Sequence, residues 1–216
     1  LYAAPAPSSS SLLMTREASK RTAMPCGVFR SSFMAAAKRA RSGGKGASSR
    51  TPSTPSAAAA EAPASFAELA ELLAPRATLA FLGSPGERDY VASVLALLGP
   101  RASAASVDLA GRLGPDDLVA FLERCSLLIT NDSGPLHLAA GLGRPTVALF
   151  GPETPSRYGP RVPRSRVFYR DLACSPCLSP DQAKRAFCAF DQRCLREIPV
   201  QDVAAAALEL LEPARA

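Results

Sequence analysis

The sequence predicts an α/β fold: a Rossmann-like parallel sheet with helices on both faces, preceded by a leader without fixed structure. Three observations carry this. Residues 63–216 alternate short apolar runs with helical patterns, which in an open sheet means parallel strands joined by helical crossovers. Residues 1–62 are mainly Ala, Ser, Pro, Lys and Arg with few large apolar side chains, and they bury too little surface to offset the entropy of ordering. The charge divides at the same place, with nine Lys and Arg against Glu17 and Glu61 in 1–62, but sixteen basic and seventeen acidic residues in 63–216. The net charge of +6 thus belongs to the leader, and the folded domain is placed at 63–216.

Each element follows from local pattern. SFAELAELLA (65–74) sets Phe66, Leu69, Leu72 and Leu73 at helical spacing, with Ser65 as a possible cap. TLAFLG (78–83) reads as a strand, and SPGERDYVASVLALLG (84–99) as a turn and a helix closed by Gly99. SVDLAG (106–111) reads as a strand, GPDDLVAFLERC (114–125) as a helix and SLLIT (126–130) as a strand. PLHLAAGL (135–142) reads as a helix and PTVALFG (145–151) as a strand. Residues 152–198 are rich in Pro, Arg and Cys and lack clean periodicity; PVQDVAAAALELLEP (199–213) is a final helix.

No apolar run reaches the roughly 18 residues a membrane-crossing helix needs, and no apolar core of about seven residues follows a basic start as in a secretory signal. The expected location is cytoplasmic, with peripheral contact at the inner membrane face as a permitted variation. The basic leader is compatible with an organelle transit peptide or with a nucleic-acid or membrane-surface arm, and selects none of them. Nucleic-acid binding is not expected, because Tyr2, Phe29 and Phe33 are the aromatics the leader offers for stacking.

In an open parallel sheet, ligands bind at the carboxyl ends of strands, where loops enter helix N-termini that favour anions. Thr130-Asn131-Asp132-Ser133-Gly134 occupies such a place. Gly134 permits close approach of a ligand, Pro135 suits a first helical turn, and Ser133 is able to cap the helix or bond a phosphate. His137, the one histidine in the chain, falls in that first turn, where a cation suits a diphosphate. The same residues also make an ordinary helix cap beside a surface histidine, and spacing alone does not choose between the two.

Asp132-Ser133-Gly134-x-x-His137 with Leu138-Ala139-Ala140, then Arg144-Pro145 and Phe150-Gly151-Pro152, resembles the signature of the heptosyltransferase family, glycosyltransferase family nine. The resemblance covers about residues 65–212. It implies the carboxy-terminal, donor-binding domain of a two-domain type B glycosyltransferase. It also implies that Asp132, Ser133, Gly134 and His137 bind a nucleotide-sugar around its diphosphate, with His137 stabilising the leaving group. Glu87, in GSPGERDYV (83–91), matches the acidic residue that holds the ribose, although a first-turn Glu equally complements a helix dipole. Thr154 lies in a Pro-Gly loop similar to the one that closes over the nucleotide-sugar, where it would donate to a phosphate or sugar oxygen.

Cys174, Cys177, Cys188 and Cys194 resemble a cysteine cluster of some bacterial family members. The spacing fits no standard zinc knuckle, so structural thiols are the favoured reading over a metal site. No cofactor is implied beyond an ADP-sugar as donor substrate.

The resemblance implies transfer of a sugar, a heptose by family, from that donor to a lipopolysaccharide-core or other glycan acceptor. An amino-terminal acceptor domain with its activating acidic group, and a strand whose Pro-Gly loop precedes a phosphate-facing lysine, have no counterpart in 1–62. The chain is therefore expected to be truncated and inactive alone. The alternatives are a non-catalytic nucleotide-binding module and the product of a damaged gene.

Overall fold

The computed structural model describes residues 11–16, 57–177, 188 and 190–212. All of these belong to one unit, Leu1–Glu17 with Ser56–Ala216; the other unit, Ala18–Pro55, lies outside the described residues.

Six strands form one sheet: β1 (Ser11–Arg16), β2 (Ala77–Leu82), β3 (Ser106–Asp108), β4 (Leu127–Asn131), β5 (Thr146–Phe150) and β6 (Ser165–Tyr169). Their order across the sheet is β3-β2-β1-β4-β5-β6. The pairs β2–β3, β4–β5 and β5–β6 are parallel. β1 lies between β2 and β4 and is antiparallel to both, with Ser11 opposite Leu82 on one side and Thr130 on the other. Strands β2 and β4 therefore run the same way, and their carboxyl ends share one edge of the sheet.

The α/β class holds, with one correction. Ser11–Arg16, read from the sequence as leader, is a strand in the centre of the sheet. Its physical reason is long-range: β2 and β4 each turn a row of backbone N–H and C=O groups toward the slot between them, and such rows are costly to leave unpaired inside a protein. SLLMTR answers both rows. For 1–10 and 17–56 the expectation of a leader without fixed structure lies outside the described residues.

The helices are α1 (Ala57–Leu73), α2 (Arg88–Leu95), α3 (Pro100–Ala104), α4 (Pro115–Arg124), α5 (Gly134–Gly141), α6 (Pro155–Tyr158), α7 (Arg193–Arg196) and α8 (Val200–Leu211). Ser65 is not the cap of α1. The helix starts eight residues earlier, at Ala57, in an Ala-rich stretch of high helix propensity, and runs through Pro63. The segment 84–99 divides into a 3-10 turn, Pro85–Glu87, and α2, with α3 following Gly99. β3 ends at Asp108 because Asp108 Oδ1 accepts from Ala110 N at 2.9 Å, a local turn that leads to Gly111 at φ +63.

Alternation along the strands builds two cores. Leu79, Phe81, Leu127, Ile129 and Val147 face α1, α2 and α8, where Leu73, Val91, Val94, Val203 and Leu210 meet them. Ala80, Leu82 and Leu128 face the other way, onto Leu122 and Cys125 around α4 and Ala139 of α5. This is the two-faced layering the sequence predicts. Arg164 ties the far end together, its Nη2 donating to the carbonyls of Leu210 and Glu212 at the close of α8.

Candidate functional site

The loop from β4 to α5 is held from beneath. Leu136 is wholly buried with Ala148 and Phe150 of β5, and the side chains of Tyr158 and Tyr169 pack on them. Burying a leucine stabilises by about 1.5–3 kcal/mol, so α5 is anchored by its first turn, and the next residue, His137, is turned outward with 53% of its side chain exposed. Asp132 N donates to Leu149 O at 3.2 Å, extending the β4–β5 pairing one residue beyond the strand.

Ser133 stands at the N-cap of α5 in extended conformation, yet its hydroxyl makes no cap hydrogen bond. It lies 2.9 Å from the hydroxyl of Thr130, which is fully buried. The first turn of α5 is thus left without a side-chain cap from Ser133, and the ordinary-cap reading fails for that residue. A Cβ built on Gly134 would meet nothing within 4 Å, so nothing in the described residues demands glycine there. Pro135 is the second helical residue rather than the first.

The electrostatics of this edge are mixed. His137 Nε2 stands 3.7 Å from Asp132 Oδ1. Burial pushes the Asp132 carboxyl above its ordinary range, and His137 partly opposes that shift. Glu153, at the end of β5, is raised by burial first and then by the Asp132 carboxylate, while Arg157 lowers it. Arg157 lies over the Tyr158 ring, 5.3 Å from its centroid. Asp132 is thus coupled to His137 on one side and to Glu153 on the other, and Glu153 in turn to Arg157, across the carboxyl ends of β4 and β5. Sequence reasoning reached the first two. It passed over Glu153 and Arg157, although both sit in the loop read for Thr154.

Glu87 and Thr154 occupy more local positions. Glu87 is buried, and its Oε2 accepts from Ser84 N at 2.7 Å, closing the 3-10 turn just beyond β2. The Tyr90 hydroxyl beside it is pushed up to about 12 by burial and then by the Glu87 charge. The turn lies at the same sheet edge as the 131–134 loop, but two strand spacings away, about 10 Å across the sheet. Thr154 caps the short helix α6, its Oγ1 accepting from Ser156 N at 3.3 Å and lying 2.9 Å from Ser156 Oγ.

Two of the four clustered cysteines, Cys177 and Cys194, lie against the loop after β5. Cys177 N donates to Pro152 O at 2.9 Å, and Ser175 Oγ donates to Gly151 O. Cys194 is buried in α7 against Gly151, where an added Cβ would come within 2.9 Å of its Sγ and 2.7 Å of Leu195 Cγ. The Cys194 thiol is raised by burial and then by Cys177, Cys188 and Cys174; that of Cys177 by burial and then by Cys188 and Cys174. Among the described residues, no group of three or more His, Cys, Asp or Glu side chains could hold a metal ion.

Against this geometry, comparison with known proteins is decisive for family. The model of Glycosyltransferase family 9 (heptosyltransferase) matches residues 32–186, more than two thirds of the chain. The chain belongs to glycosyltransferase family 9. Lipopolysaccharide heptosyltransferase 2 of Escherichia coli is 36% identical over 89 residues, 41% of this chain and 26% of that protein. Lipooligosaccharide heptosyltransferase 2 of Campylobacter jejuni is 34% identical over 89 residues, again 41% of this chain and 26% of the relative. The solved structure of E. coli ADP-heptose LPS heptosyltransferase II superposes with a TM-score of 0.56 at 28% identity, covering 69% of this chain and 41% of that one. A family 9 glycosyltransferase from Veillonella parvula gives 0.54 at 27%, with the same coverage. The chain spans about a quarter of the length of these curated relatives. The family 9 match starts at 32, earlier than the start near 65 read from the motifs, and so reaches into the leader. No helix among the described residues is long and apolar enough to cross a membrane.

Proposed function

We propose that this chain is the nucleotide-sugar-binding part of a heptosyltransferase-like enzyme, and that the start of α5 receives the diphosphate of an ADP-sugar. The observation that carries this is the free end of α5: Ser133 turns its hydroxyl to Thr130 rather than capping the helix, and Gly134 faces open space. Pro135 has no N–H and that of Leu136 donates to Ser133 O at 3.1 Å, so this N-terminus offers an anion the Gly134 backbone and the positive end of the helix dipole.

In the transfer, the bond between the sugar's anomeric carbon and the donor's phosphate oxygen breaks, and a bond to the acceptor hydroxyl oxygen forms on the opposite face. Negative charge grows on the departing diphosphate. His137, exposed beside the helix start, and the Gly134 backbone meet that charge. Asp132 accepts from hydroxyls of the donor, and Glu87, at the position that matches the acidic residue of the family motif, is assigned the ribose. Thr154 donates its hydroxyl proton from the α6 cap to a phosphate or sugar oxygen. The acceptor's proton leaves to an acidic group of an acceptor domain, and the acceptor is a lipopolysaccharide-core or other glycan.

Isothermal titration of the chain with ADP and with ADP-sugars tests the donor site; no binding at millimolar ligand would overturn it. Binding without donor hydrolysis or sugar transfer, even when an acceptor domain is supplied, would instead mark a nucleotide-binding module.

A further inference from the structure

We infer that Thr130 is a positioning residue for the donor diphosphate: its buried hydroxyl holds the Ser133 side chain so that the Ser133 proton turns out to a phosphate oxygen. This role rests on the donor site proposed above and adds to it a residue from outside the Asp132–His137 motif. Thr130 follows the apolar run of β4 and is fully buried. Alternation sets it on the same face as Leu128, the face that α4 and α5 cover, and it pairs with Ala148 of β5, on which Leu136 is seated. Its hydroxyl thus stands at a depth where Leu127, Leu128 and Ile129 carry only alkyl groups, and a hydroxyl buried there is costly unless it is hydrogen-bonded. Thr130 Oγ1 lies 2.9 Å from Ser133 Oγ.

Ser133 has no competing duty at the helix. A serine N-cap bonds the backbone N–H of the second or third helical residue. The second is Pro135, which has none, and the third is Leu136, whose N–H already donates to Ser133 O at 3.1 Å. The Ser133 hydroxyl is therefore committed to Thr130 rather than to α5. Ser133 itself is half-buried, with open space beside it at Gly134.

Each hydroxyl has a single proton to give and lone pairs with which to accept. An ionised phosphate oxygen only accepts, so with a diphosphate at the start of α5 Ser133 gives its proton to the ligand and takes one from Thr130. Accepting from Thr130 makes Ser133 a stronger donor. The contact also fixes the Ser133 side chain before the ligand arrives, which lowers the ordering cost of binding. Thr130 touches neither donor nor acceptor, and no bond is made or broken at it; it acts through Ser133.

A double-mutant cycle read by calorimetric titration with ADP and ADP-sugar tests this on the full chain. Thr130→Val, which removes the hydroxyl, is expected to weaken binding by roughly three- to tenfold, and Thr130→Ser, which keeps it, to restore affinity to near the parent. In the Ser133→Ala background Thr130→Val should change affinity by less than about twofold, because the group it acts through is gone; a merely structural role would keep its full effect there. Equal affinity of Thr130→Val and the parent overturns the role of Thr130 and leaves the donor site standing, as does an effect that persists undiminished without the Ser133 hydroxyl. No binding by the parent chain overturns the donor site, and the role of Thr130 with it. Where Thr130→Val does not fold, Thr130→Ala carries the same cycle.

Discussion

The loops after β4 and β5 begin at the same sheet edge, and each has a glycine near its start, but the two glycines answer different demands. At Gly151 the chain itself requires the absence of a side chain, because Leu195 and Cys194 occupy the space a Cβ would take. At Gly134 nothing among the described residues comes within 4 Å of that position. Packing within the fold explains Gly151, whereas packing among the described residues places no such demand at Gly134. The comparison separates a packed structural corner from the open loop proposed to receive the donor diphosphate.

Mutation should separate the two loops in the same way. The largest effect is expected at the corner: Gly151→Val forces atoms onto the Leu195 side chain and should destabilise the fold by about 1–3 kcal/mol or more, seen as a lower denaturant midpoint. An unchanged midpoint would mean that α7 is not seated on β5. At the other loop, His137→Ala removes the exposed imidazole proposed to face the diphosphate. ADP-sugar affinity should fall about tenfold, or roughly 1.4 kcal/mol, with thermal stability unmoved; equal affinity in calorimetry would take His137 out of the site.

Gly134→Ala sharpens the contrast directly. Stability should stay within about 0.5 kcal/mol of the parent, while donor affinity drops several-fold through the added methyl; a stability loss like that of Gly151→Val would erase the distinction. The smallest effect belongs to Asp132→Asn. Burial raises the folded carboxyl's pKa above its unfolded value, so the folded state holds the proton longer and stability falls as pH rises from the ordinary carboxylate range through the raised value. Asp132→Asn removes that loss. Its melting temperature should gain slightly over the parent at neutral pH and not below the carboxylate range, while donor binding weakens. A melting temperature lower than the parent at neutral pH would show the carboxylate to be stabilising.

Much of the frame is readable from local pattern. The helices α4, α5 and α8 and the strands β2, β4 and β5 carry strong periodicity or continuous apolar runs, and each stands within a few residues of its expected place. β6 escapes reading because none of its five residues is buried at the sheet edge, where its pairing comes from β5. The early start of α1 escapes because Ala57–Ala62 has helix propensity without periodicity. In the candidate site, Asp132 to His137 is one contiguous motif and can be read as such. The coupling of Asp132 to Glu153 spans two loops that only the β4–β5 pairing brings side by side.

The sequence by itself determined the α/β class, the family resemblance and the loop on which a diphosphate would rest, because these depend on residues a few positions apart. Tertiary structure alone decided that Ser11–Arg16 fills the centre of the sheet, that Ser133 turns to Thr130 instead of capping its helix, and that Cys177 and Cys194 meet the chain at Pro152 and Gly151. Each of these satisfies a polar group or fills a space created by a distant part of the chain, and no local pattern records which part that will be.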